Sequence, residues 1–129
     1  MEERATRTIL VVDDDPGVRD VIRSMLESAG YAVRVAANGK EAMKILRDDG
    51  IDLILTDLVM PEQEGIETIK ALRREYPDLK VIAMSGAFGG DYLRIAAYLG
   101  AHGTLAKPIQ MEALLKIIAD TLGECTAGS

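Results

Sequence analysis

Cysteine is nearly missing from this chain: one thiol, Cys125, in 129 residues. A single cysteine builds neither a disulfide framework nor a zinc site, so nothing points to an oxidising compartment. Tryptophan is absent and aromatic residues make up only 4%, which requires an aliphatic core. Histidine occurs once, at His102, and reads as a loop residue rather than a ligand or base. No apolar run has the length of a membrane span or the shape of a signal peptide, and the start, Met1-Glu2-Glu3-Arg4, is charged. Basic residues are in deficit: 15 Lys and Arg against 21 Asp and Glu leave a net charge of -6. That balance disfavours broad contact with nucleic acid or anionic membrane, since both are negative. The resulting expectation is a soluble cytoplasmic protein with neither as a partner.

What is present is an apolar content of 48%, enough for one core and one domain. Residues 1–7 and 123–129 read as polar tails around a domain over 8–122. Within it, apolar strands alternate with amphipathic helices. Ile9-Leu10-Val11-Val12 is a run suited to a strand buried on both faces. Asp15 is placed to cap a helix with Pro16 at its first position, and apolar residues at 18, 21, 22, 25, 26 and 29 give that helix one inward face. Gly30 stops it. Residues 32–36 alternate Val33 and Val35 with Arg34, as an edge strand would. Asn38 and Glu41 predict a capping box for a helix facing inward through Ala42, Ile45 and Leu46. Leu53 to Thr56 form another buried strand, followed by a helix with Ile66, Ile69 and Leu72 inward. Val81 to Met84 and Thr104 to Ala106 supply the remaining strands. A short helix from about Asp91 to Leu99 and a last one through Met111, Leu114, Leu115, Ile118 and Leu122 complete the pattern. Five strands and five helices in alternation predict a parallel sheet covered on both faces, with ligands bound beyond the carboxyl ends of the strands.

The polar residues fall at those ends. Asp13, Asp14 and Asp15 follow the first strand, Asp57 ends the third, Ser85 the fourth and Lys107 the fifth. Crowded carboxylates repel one another, and a hard cation with oxygen ligands relieves them. Mg²⁺ fits, because it takes a few carboxylates, keeps waters and accepts a phosphate oxygen. Asp57 is then a candidate nucleophile for a phosphoryl group, with Lys107 neutralising phosphoryl charge and Ser85 donating a hydrogen bond. Asp15 reads as a helix cap rather than a ligand. Gly86, Gly89 and Gly90 lack the spacing of a Walker loop.

Together these pieces resemble the receiver domain of bacterial two-component response regulators, the CheY-like superfamily. The matching segments are Ile9 to Asp15, Thr56-Asp57-Leu58-Val59-Met60-Pro61, Gly65, Met84-Ser85-Gly86, Gly100-Ala101 and Lys107-Pro108, and they span roughly residues 7–122. The resemblance implies a flavodoxin-like (βα)5 doubly wound fold with strand order 2-1-3-4-5. It implies Asp57 as phosphoacceptor and a Mg²⁺ site of Asp13, Asp14, Asp57 and the Val59 backbone carbonyl. Ser85 matches the switch hydroxyl, Lys107 the phosphate-contacting lysine, and the Lys107-Pro108 peptide is expected to be cis. It further implies a histidine kinase or phosphotransfer protein as donor. A downstream protein would bind the face made by the fourth and fifth helices and the last strand, with the chain a monomer or weak dimer. One departure is Thr104, where the family usually carries an aromatic ring; Tyr98 and Phe88 are candidate substitutes. Two other functions compete. A Mg²⁺-dependent phosphohydrolase of the haloacid dehalogenase type would carry a second Asp where Val59 stands, and no cap domain is present. A phosphate-independent interaction module is favoured by Thr104 and opposed by the intact set of Asp14, Asp57, Ser85 and Lys107.

Overall fold

The computed structural model describes residues 6–57, 64–86, 94, 97 and 100–123. Its sheet contains β1 (Thr8–Val12), β2 (Ala32–Ala36), β3 (Leu53–Asp57), β4 (Lys80–Ser85) and β5 (Gly103–Ala106). All pairings are parallel, in the order β2-β1-β3-β4-β5. Helices α1 (Pro16–Ser28), α2 (Gly39–Asp48) and α3 (Glu64–Glu75) make crossovers between strands, and with a C-terminal helix (Met111–Leu122) they cover the sheet. The helix expected over about 91–99 lies outside the described residues except at 94 and 97, which are helical. The Lys107–Pro108 peptide is cis.

Two-residue periodicity sorts the strands into two cores. Ile9, Val11, Leu53, Leu55, Ile82 and Met84 pack on one face against Ile22 and Leu26 of α1 and Leu114 and Ile118 of the C-terminal helix. Leu10, Val12, Ile54, Val81 and Ala83 pack on the other against Ala42 and Leu46 of α2 and Ile69 and Leu72 of α3. Burying each Leu or Ile side chain contributes about 1.5–3 kcal/mol, so this double layer fixes where the strand ends sit. Inward facing was expected of Val21, which is instead exposed at 54%, and Met111, at the start of the C-terminal helix, is exposed at 41%. Each lies at the margin of its helix's apolar stripe, where Ile22 and Leu114 already fill the sheet contact.

Helix starts follow local chemistry. Asp15 Oδ1 accepts from the Gly17 and Val18 N–H groups, and Asn38 Oδ1 accepts from Glu41 N–H at 2.9 Å. Glu41 reaches back one residue beyond the capping-box position, to the Ala37 N–H. Gly30, at φ 95°, takes the left-handed turn after α1.

The start of β5 is tied to β4 through His102. Its N–H donates to the Val81 carbonyl at 2.7 Å, and its ring Nδ1 accepts from the Val81 N–H at 3.0 Å. The second bond requires an unprotonated Nδ1. Partial burial, with Arg73 and Lys80 nearby, holds the imidazole pKa below its ordinary 6.5. The unfolded chain therefore takes up the proton first as pH falls below 6.5, and stability drops with it. His102 is itself exposed, so water offsets part of the cost of an unpaired N–H, and the loss should stay well under about 1 kcal/mol. Thermal melts at pH 7 and pH 5 of the parent and of His102→Asn, whose amide oxygen does not titrate, measure it. An acid-induced drop no larger in the parent than in the variant would refute this role.

Candidate functional site

The rim beyond the carboxyl ends of β1, β3, β4 and β5 collects the polar residues singled out above. Asp13 follows β1 and is 0% exposed; Asp57 closes β3 at 3%. Asp14 is exposed. One carboxylate oxygen from each of Asp13, Asp14 and Asp57 lies within 4.8 Å of the others. Lys107, directly after β5, places Nζ 2.7 Å from Asp13 Oδ2 and 3.1 Å from Asp57 Oδ2. Its backbone N–H donates to the Ser85 carbonyl at 2.8 Å, which binds the end of β5 to that of β4.

Asp13 is held at every polar atom. Its N–H donates to the Ala36 carbonyl and its Oδ1 accepts from the Asp15 N–H. Its Oδ2 accepts from Lys107 and its backbone carbonyl from Arg19. This clamp turns a buried acid, costly in isolation, into a fixed oxygen donor.

Among the described residues, the carboxylates of Asp13, Asp14 and Asp57 outnumber the Lys107 ammonium that bonds two of them. Two like charges about 4 Å apart repel by about 4 kcal/mol at an effective dielectric of about 20. Burial acts to lower the Lys107 pKa, but the Asp13 hydrogen bond and the Asp57 and Asp13 charges outweigh it, and the pKa stands above 10.5. Lys107 is thus a cation throughout the physiological range. Its contribution to stability is complete below pH 10.5 and is lost only as pH rises through the folded value.

The donor set fits a hard divalent ion. It is all oxygen, it is partly buried, and it is rich in carboxylates. A second feature fits an oxyanion beside it. Among the described residues, Ser85 Oγ is buried with no hydrogen-bond partner, although buried hydroxyls are nearly always paired. It sits at the end of β4, whose neighbour in the sheet register is the end of β3.

These placements accompany clear likeness to known proteins. The response regulator receiver domain model matches residues 9–119. The chain belongs to this family. The receiver is 34% identical over 119 residues to the DNA-binding transcriptional regulator NtrC of Azospirillum brasilense, covering 92% of this chain but 25% of that protein. It spans about a quarter of such curated relatives. It is 37% identical over 121 residues to an uncharacterized 14.6 kDa protein of Leptolyngbya boryana, at 92% coverage of both. Its fold matches a CheY-like receiver domain protein from Methanospirillum hungatei with a TM-score of 0.85 at 28% identity, over 92% of this chain and 95% of that one. Receivers are signalling domains of two-component systems rather than conventional enzymes. Among the described residues, no helix is long and apolar enough to cross a membrane.

Asp13, Asp14, Asp57, Ser85 and Lys107 thus meet at one rim. Val59, Phe88 and Tyr98 lie outside the described residues. Thr104 is half-buried on β5, opposite Ala83 of β4. The residue that sequence reasoning missed is Arg19, whose bond to the Asp13 carbonyl spans six positions and follows no sequence pattern.

Proposed function

We propose that the receiver takes a phosphoryl group onto Asp57 in a Mg²⁺-dependent reaction. The observation that carries the reading is the grouping of three carboxylates within 4.8 Å, with the Lys107 ammonium bridging Asp13 and Asp57. Asp13, Asp14 and Asp57, with the Val59 carbonyl, would hold the ion. When bound, Mg²⁺ supplies electrostatic stabilisation of phosphoryl oxygens. An Asp57 oxygen attacks phosphorus, forming a P–O bond as the bond to the donor breaks and the donor leaves with the electron pair. Lys107 neutralises one phosphoryl oxygen, and the orphan Ser85 hydroxyl gains its missing acceptor. That change in bonding at the end of β4 is the proposed switch for binding a downstream protein on the surface that includes β5 and the C-terminal helix.

The proposed donor is a histidine kinase or phosphotransfer protein, acting on a cytoplasmic monomer or weak dimer. Incubation with acetyl phosphate and Mg²⁺ should add one phosphoryl group, found on Asp57 by mass spectrometry, and EDTA should prevent it. Labelling that ignores EDTA would sink the metal-dependent reading.

A protein donor must rest on the surface around Asp57. Val21, the most exposed large hydrophobic described, lines a groove of about 490 Å³ that also touches Asp15, Lys107 and Ile109. Val21→Glu is expected to slow transfer from the cognate donor about tenfold, the effect of roughly 1.4 kcal/mol, and to leave acetyl phosphate labelling unchanged. Equal slowing with both donors would show that the change disturbs the site itself.

A further inference from the structure

We infer that Arg19 is a positioning residue for the Mg²⁺ site: its guanidinium fixes the peptide that joins Asp13 to Asp14. This rests on the reading of the acidic cluster as a cation site and extends it to a residue outside the cluster.

The Arg19 Nη1 donates to the Asp13 backbone carbonyl at 2.6 Å. Arg19 belongs to the first turn of α1, where its own N–H donates to the Asp15 carbonyl. The side chain therefore folds back from a rigid helix onto the loop between β1 and α1. A carbonyl is one edge of a peptide plane, so holding the Asp13 oxygen sets the rotation of the Asp13–Asp14 peptide. That rotation aims the Asp14 side chain. Asp13 has its other polar atoms anchored by Ala36, Asp15 and Lys107. Asp14 is exposed, and the plane of its preceding peptide is what directs it toward Asp13 and Asp57.

Two effects of Arg19 on a cation oppose each other. Its permanent positive charge repels Mg²⁺, so loss of the charge alone would tighten binding. Its hydrogen bond pre-organises a ligand pair, so loss of the bond alone would loosen it. Small Mg²⁺ demands near-ideal octahedral placement of its ligands, and ligand pre-organisation is the stronger lever at a half-buried arginine whose charge is screened by water. The sign of the change in affinity therefore separates the two roles.

The experiment is calorimetric Mg²⁺ titration of the unphosphorylated parent, Arg19→Met and Arg19→Gln, with folding checked by circular dichroism. Met keeps the apolar stem, and Gln keeps polarity without the reach, so either variant reads the effect if the other misfolds. The expected result is Mg²⁺ affinity about tenfold weaker in the variants. Half-saturation of acetyl phosphate labelling should shift to higher Mg²⁺ by the same factor, and the rate at saturating Mg²⁺ should stay parental. Unchanged or tighter Mg²⁺ binding would overturn the proposal, as would a lower saturating rate at parental affinity. A parent that binds no Mg²⁺ would remove the cation site itself, a failure distinct from that of Arg19.

Discussion

Asp57→Asn is expected to abolish covalent phosphoryl uptake, by at least about 10³-fold, in line with removal of a nucleophile. The substitution keeps the shape of the side chain, and its amide oxygen can still accept from Lys107, 3.1 Å from Asp57 Oδ2 in the parent. What it removes is the anionic oxygen that forms the acyl phosphate. It also removes one of three crowded charges, so the metal-free variant should melt no lower than the parent. Loss of label in a protein that melts at or above the parental temperature is the signature to look for. Acetyl phosphate labelling followed by mass spectrometry decides the matter. A phosphoryl group still found on the Asp57→Asn chain, for instance on Asp13 or Asp14, would displace Asp57 from its assigned role.

The second large effect concerns Lys107. Its ammonium bonds the carboxylates of both Asp13 and Asp57. Breaking a fully buried pair costs about 3–5 kcal/mol. The Lys107 side chain is 22% exposed, so water offsets part of that, and Lys107→Met should cost about 2–3 kcal/mol in EDTA. That corresponds to a fall in Tm of roughly 6–15 °C. The carboxylates left behind carry a larger charge excess, so the variant should gain more stability from Mg²⁺ than the parent does. The two melting curves are thus expected to converge as Mg²⁺ is added. Equal Mg²⁺-induced shifts in parent and variant would show that Lys107 and the cation do not act on the same charges. Between pH 7 and 10 the difference in EDTA should stay constant, because the Lys107 pKa lies above 10.5 in the folded protein.

Much of this was legible before any coordinates. Apolar patterning separates the central strands from the edge strand β2, whereas the full order β2-β1-β3-β4-β5 was implied by the family resemblance. Leu53 to Leu55 are fully buried and central, whereas Ala32 to Val35 are partly exposed at the edge. The rim was legible for a topological reason: in a parallel sheet every strand ends on the same side, so Asp13, Asp57, Ser85 and Lys107 had to be neighbours. Features that depend on side-chain reach were not legible. Glu41 bonds the Ala37 N–H instead of that of Asn38, His102 takes the Val81 N–H, and Arg19 takes the Asp13 carbonyl. Each involves a long or rotatable group choosing among several backbone partners. Val21 misled for a related reason: a wide apolar stripe does not say which margin meets the sheet.

The bond between Asp13 and Lys107 joins positions 94 apart in the chain, and β5 must dock on β4 before it can form. The proposed phosphoryl site is therefore completed late, once the last strand is in place. A chain still emerging from the ribosome, or one whose final strand has peeled away, presents its aspartates without their counter-charge. Under the proposed function, phosphoryl uptake would draw on contacts that only the finished fold supplies, and a label on Asp57 would report on native structure.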